Sequence, residues 1–264
     1  MNLKLKKSSL LLTGLLLASG SVSANETIDI CPNDLTKVAI QSVLETLLKD
    51  AQAEENGGFG FHMWATMVNR AGEVCAIAHS GEHTGDQWPG SRAISAQKAN
   101  TANAFSLPGF ALSSANLHQA TQDGGSLYGL QESNPVDTSV AYAGSFDDYG
   151  TASDPMMGKK IGGINVFGGG LALYSSDGEI VGAVGVSGDS SCADHNIAWR
   201  VRHAGNFDYV PAGPSPTAND QIIYAGESDG GAAGFEHPDC GHTEKEVAAG
   251  LPETRSVETD MVAE

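Results

Sequence analysis

The sequence predicts an α+β domain in which an antiparallel sheet is covered by helices. Two pairs of strand-like runs are each joined by a short glycine turn, and along the first run alternate residues share a face. Helical-period runs flank them in the order α-β-β-α-(α)-β-β-α, which lacks the strict strand–helix alternation of a parallel sheet. The chain has 264 residues, and removal of a leader leaves about 240, enough for one large domain with a substantial core.

The first helix is expected to start at Asn33-Asp34 after Pro32 and run to Ala53. Ile40, Val43, Leu44, Leu47, Leu48 and Ala51 keep helical spacing, and Glu45–Lys49 adds an i,i+4 pair. Asn56-Gly57-Gly58 stops it. Strands at 61–69 and 73–80 follow. On the first, His62, Trp64, Thr66 and Val68 share one face, while Phe61, Met63, Ala65 and Met67 share the other. After a polar loop at 81–90, Ser91 caps a small-residue helix to Phe105, whose Ala93, Ala96, Ala99 and Ala102 permit close packing. A short helix is expected at 113–121, strands at 171–176 and 179–187, and a helix from Ser190 or Ser191 to Ala204, closed by Gly205. Residues 222–225 suit a short edge strand.

Two regions lack periodicity. Residues 123–163 are rich in Gly, Ser, Asp and Pro, and a loop of that length is either functional or conceals an element. The stretch 243–264 is charged and poor in aromatics, so a disordered acidic tail is expected there. Residues 1–24 read as a secretory signal: Lys4, Lys6 and Lys7 precede the apolar run 10–18, and Ser21-Val22-Ser23-Ala24 offers small residues for cleavage. The domain is then 25–242, and the destination is the periplasm or the exterior. No apolar run is long enough to span a bilayer.

The formal net charge is −18, and the leader carries three lysines and no acid, so the remaining chain is more acidic still. That argues against nucleic acid and anionic membrane as partners. Four cysteines in an exported chain favour two disulfides, with three connectivities open. Cys31 with Cys75 and Cys192 with Cys240 is preferred, because each pairing ties a terminal segment to the adjacent core.

The chemistry-bearing residues gather at 168–195. Asp194 in Ser191-x-x-Asp194 suits a helix cap, and it can also act with His195 as an acid–base pair where the second strand ends. Cys192 and His195, with His237, Cys240 and His242, could make a tetrahedral zinc site, although the spacing matches no established zinc motif and export favours the disulfide. His62, His79 and His83 form another group, with His62 beside Trp64 able to line an aromatic pocket. Several motifs fail on their context. Gly182-x-x-Gly185-x-x-Gly188 has no βαβ frame, Gly168-Gly169-Gly170 lacks the Lys-Ser/Thr of a P-loop, and Ser187 does not complete Gly-x-Ser-x-Gly. These glycines are expected to permit close backbone approach.

Two stretches resemble a known family. Ile94-Ser95-Ala96-Gln97-Lys98-Ala99 with Thr101-Ala102 looks like its A-x-x-K-A-x-T-A helix. Gly168-Gly169-Gly170, Gly178 and Val181-Gly182-Ala183-Val184-Gly185-Val186-Ser187-Gly188 look like its second signature, with Asp194 matching the acidic residue after the Gly-Val-Ser-Gly turn. The family is the GlcG/HbpS-like haem-binding family, also seen as the C-terminal domain of some corrinoid adenosyltransferases, and the resemblance spans about 34–205. It implies a five-stranded antiparallel sheet, helices on its faces, symmetric homo-oligomers and, in some members, haem as cofactor. The insertion at 110–163, the Cys192/Cys240 pair and the acidic tail are departures. Under this reading the chain is an exported haem carrier, store or sensor-associated module, with His62, His83 or His195 on the iron and Arg92 or Lys98 meeting the propionates. The alternative is an enzyme acting on haem or a small polar metabolite through Asp194 and His195, and a lower one is a zinc-binding protein.

Overall fold

The computed structural model describes residues 30–31, 37–226 and 234–257. The expected signal and the Asn33-Asp34 cap lie outside them. Four strands, β1 (Trp64–Asn69), β2 (Val74–His79), β3 (Gly170–Tyr174) and β4 (Ile180–Ser187), form one antiparallel sheet in the order β2-β1-β4-β3. Its centre is set by Thr66 opposite Ile77 on one side and Gly185 on the other, and by Gly170 opposite Gly185. No described helix is long and apolar enough to cross a membrane.

The face assignment read from period two holds in space. Met63, Ala65, Val184 and Val186 point to one side, where α1 (Lys37–Ala53) and α5 (Ser191–Ala204) bury Leu44, Leu48, Ile197, Trp199 and Val201 against them. Trp64, Val68 and Ala183 point to the other, under the alanines of α2 (Ser91–Phe105). The α1 helix also blunts the sheet edge: Gln41 accepts from Ile77 N at 3.1 Å and donates to Ile77 O, using up groups that an edge strand would otherwise expose.

The α2 helix sits at backbone contact distance from the sheet. A Cβ on Gly185 would lie 2.0 Å from Ser95 O, and one on Gly170 would lie 2.3 Å from Lys98 O. Only glycine fits at either position. A hydroxyl pair, Thr66 Oγ1 and Ser95 Oγ at 2.8 Å, satisfies the polar atoms trapped between the layers.

Four expectations are corrected. Among the described residues the sheet has four strands rather than five. Residues 222–225 make one parallel bridge, Tyr224 to His237, and the chain beside β3 makes one as well, Tyr174 to Asp208. Pro211, Pro214 and Pro216 remove the N–H groups that a fifth strand would need there. The helix expected at 113–121 is a 3-10 turn, Ala115–Leu117, followed by α3 (His118–Thr121). The region 123–163 contains α4 (Thr138–Ala141) and a 3-10 turn at Phe146–Asp148, wrapped around the buried Asp154. The stretch expected to be disordered from Thr243 is folded through Val257. It contains α6 (Glu244–Ala249), and beyond that Trp199 Nε1 donates to Pro252 O at 2.8 Å and Arg255 pairs with Asp208. This segment covers apolar surface of α5 that would otherwise face water.

Both preferred disulfides form: Cys31–Cys75 and Cys192–Cys240. The second fastens the C-terminal segment to the first turn of α5.

Gly185→Ala should lower the free energy of unfolding by at least about 3 kcal/mol, because the clash is with helix backbone that cannot move without lifting α2. Gly109→Ala, where the added methyl meets open space, should stay within about 0.5 kcal/mol of the parent. Urea denaturation followed by tryptophan fluorescence compares the two.

Candidate functional site

Where β4 ends, the chain turns through Gly188 and Asp189 into α5. Ser190 is the cap, accepting from Ala193 N at 3.3 Å. Asp194, one residue too far along to cap, folds back beneath the turn instead. One carboxylate oxygen accepts from Gly188 N at 3.1 Å and Asp189 N at 2.9 Å, and the other takes the Lys98 ammonium at 2.6 Å. Lys98 donates again to Val186 O at 3.1 Å. Both side chains are buried. Burial pushes the Asp194 carboxyl up to about 6 against the opposing pull of Lys98, and it lowers the Lys98 ammonium. The pair therefore locks α2, β4 and α5 together, with neither head open to a ligand. His195 is equally buried.

Arg92 is likewise turned inward. Its Nε donates to Asp154 Oδ2 at 2.8 Å, its Nη1 to Ala141 O at 2.6 Å, and Tyr149 lies 3.6 Å beneath the guanidinium. Asp154 also accepts from Gly150 N and Met156 N. Arg92 thus organises the insertion. Neither Arg92 nor Lys98 presents a surface charge for a propionate, which corrects that expectation.

Two places gather groups suited to a ligand. The first is an exposed aromatic face before β1. The Asp189 carboxylate accepts from Phe59 N at 2.9 Å and Phe61 N at 3.0 Å, and Gly60 between them takes a positive φ of 76°. This local turn places both rings on one side, centroids 5.4 Å apart and nearly parallel. Trp88 continues the row at 5.5 Å from Phe61, and His242 abuts Phe59 at 4.5 Å. Trp64 Nε1 holds the Trp88 carbonyl at 3.1 Å, and Gln87 ties the 81–87 loop to itself. Phe59, Phe61 and Trp88 remain 59%, 43% and 56% exposed. His62 and His83 are exposed nearby. The Asp86 carboxyl is held below its usual range first by the His83 N–H that it accepts, with the His83 and His62 rings adding to the effect. His62 Nδ1 meets Ser80 Oγ at 3.1 Å. His62 and His83 were legible in sequence; the pinning role of Asp189 and the contribution of His242 were not, since they come from distant segments.

The second is a group of imidazoles between α3, α5 and the C-terminal segment. His195 Nε2 accepts from Ile222 N at 3.1 Å, and its Nδ1 has no hydrogen-bond partner among the described residues. His237 Nδ1 lies 2.8 Å from Pro238 O, and its Nε2 is without a described partner too. The His118 ring is 5.0 Å from that of His237. Burial lowers the pKa of all three, His237 to about 4 and His195 well below the usual imidazole range. Each buried ring nitrogen left without a partner costs about 1–3 kcal/mol.

The zinc arrangement read from sequence is not assembled. Cys192 and Cys240 are joined to each other, and the neighbouring Glu244 accepts from Cys240 N, Gly241 N and His242 N at 2.7–3.0 Å. An apolar cavity of about 300 Å³ between α1 and the sheet is lined by Ile30, Val43, Leu47, Met67 and Phe207 among others, with no imidazole.

Lys98→Met should cost about 3–5 kcal/mol of stability, since it leaves the Asp194 carboxylate buried and unpaired. Lys98→Met/Asp194→Leu should recover only part of that loss, because Gly188 N and Asp189 N then lose their acceptor, and a double-mutant cycle in denaturant measures it.

No curated protein matches the chain. Several solved structures are similar to it. ORFY of Klebsiella pneumoniae shares 20% identity over 70% of this chain and 96% of its own, with a TM-score of 0.44. PduOC, crystallised in complex with heme, shares 20% over 67% and 95%, at 0.42. A double mutant of Streptomyces reticuli HbpS shares 16% over 71% and 97%, at 0.40. The family model described as haem degrading protein HbpS-like matches residues 35–202, well over half of the sequence, and the chain belongs to that HbpS-like family.

Proposed function

We propose that this chain is an exported haem-binding protein that takes haem on the exposed face formed by Phe59, Phe61 and Trp88. The observation that carries the reading is that row of solvent-facing rings with imidazoles at its margins. Large aromatic side chains left in water cost free energy that a flat apolar macrocycle recovers by covering them. His242, against Phe59, and the exposed His62 and His83 are the candidate iron ligands. Membership of the HbpS-like family supports haem as the ligand. The leader-like N-terminus and the two disulfides support an oxidising compartment, periplasmic or extracellular, and a carrier or storage role.

With Arg92 and Lys98 committed to internal carboxylates, the haem propionates meet an acidic surface. Haemin affinity should therefore rise with ionic strength, as salt screens the repulsion. The acid–base reading of Asp194 and His195 has no comparable support, because the Asp194 carboxylate is taken up by Lys98 and two backbone N–H groups.

A haemin titration of the leader-free protein tests the proposal. A sharp Soret shift saturating near one haem per chain, or per dimer, is expected. Phe61→Ala and Trp88→Ala should each weaken binding by roughly 3- to 10-fold, and alanine at one of His62, His83 or His242 should alter the Soret position. A broad, unsaturated change, or a spectrum indifferent to all five substitutions, overturns the assignment.

A further inference from the structure

We propose that His118 and His237 bind a divalent cation of borderline softness, Zn²⁺ or Cu²⁺, with His195 donating a hydrogen bond to a water that completes the coordination. The inference rests on the proton positions that the backbone imposes. Pro238 O can only accept, so His237 carries its proton on Nδ1, and the buried Nε2 offers a bare lone pair. A ring N–H held by a backbone carbonyl is the support that metal-ligating histidines commonly have. Ile222 N–H can only donate, so His195 accepts on Nε2 and carries its proton on Nδ1, a buried donor with no acceptor among the described residues. His195 therefore cannot ligate a metal without losing that bond, but it is suited to hold a metal-bound water.

His118 supplies the second lone pair, with its ring 5.0 Å from that of His237 and inclined at 57°. It is half-buried on α3, so an ion can reach the pair from solvent. The nearby Lys98 ammonium is offset by Asp194. The Cys192–Cys240 disulfide holds the pieces in place: His195 lies three residues after Cys192, and His237 three residues before Cys240. The chemistry needs two imidazoles, not the two sulfurs, and the site is separate from the aromatic face.

The test is calorimetry with Zn²⁺, and Cu²⁺ electron paramagnetic resonance, on the untagged, chelator-treated chain with its disulfides intact. One equivalent should bind, with nitrogen hyperfine structure from two imidazoles. His118→Gln and His237→Gln should each weaken binding on the order of 100-fold, and His195→Gln about 10-fold. His62→Ala/His242→Ala should leave it unchanged. Absence of binding, or binding insensitive to His118→Gln, overturns the proposal. The half-exposed His118 keeps this decisive should His237→Gln fail to fold. A haemin titration that is unchanged in His118→Gln separates this outcome from that of the aromatic face.

Discussion

Backbone-to-backbone contact between α2 and the sheet governs how the rest of this molecule is arranged. Gly170 and Gly185 lie opposite each other on β3 and β4, and the absence of two methyl groups lets Ser95 and Lys98 of α2 descend onto them. At that depth the Lys98 side chain cannot reach water and must find its partners inside. It finds Asp194 and the Val186 carbonyl, and so joins three elements that are far apart in sequence. A larger residue at either glycine would raise the helix and strand the lysine.

The same logic of inward-turned charge recurs. Arg92 meets Asp154 under the insertion, and Arg202 meets Asp220 through paired hydrogen bonds of 2.7 and 2.8 Å beneath the chain after α5. Each buried pair fastens a long irregular segment to the helical layers, where few apolar side chains are available to do so. Such pairs hold a chosen geometry more than they add stability, since desolvation offsets much of the attraction. In this chain they turn Arg92 and Arg202, like Lys98, away from the surface.

The two ligand-suited regions both depend on the start of α5, and segments remote from the helix shape both. Asp189, just before the helix, aims Phe59 and Phe61 outward. Cys192, in its first turn, pulls the C-terminal segment across and brings His237 beside His118. The start of one helix thus organises an exposed aromatic face and a largely buried imidazole group at once.

Period two in 61–69 determined which side chains of β1 share a face, and the spacing of Ala93, Ala96, Ala99 and Ala102 determined a close-packed α2. Those are local properties, set by strand and helix geometry whatever the partner. The preferred disulfides and the A-x-x-K-A-x-T-A resemblance were legible for the same reason, as residue types at fixed positions. Sequence could not decide where Lys98, Arg92 and Asp194 point, because a charged side chain turns inward only where another segment supplies its counter-charge. Nor could it show that 243–257 folds, since polar composition reads as disorder until Trp199 and Asp208 offer it partners. The grouping of His118, His195 and His237, and of Phe59, Phe61, Trp88 and His242, belongs wholly to tertiary structure. Long-range contacts set those distances, and no local periodicity encodes them.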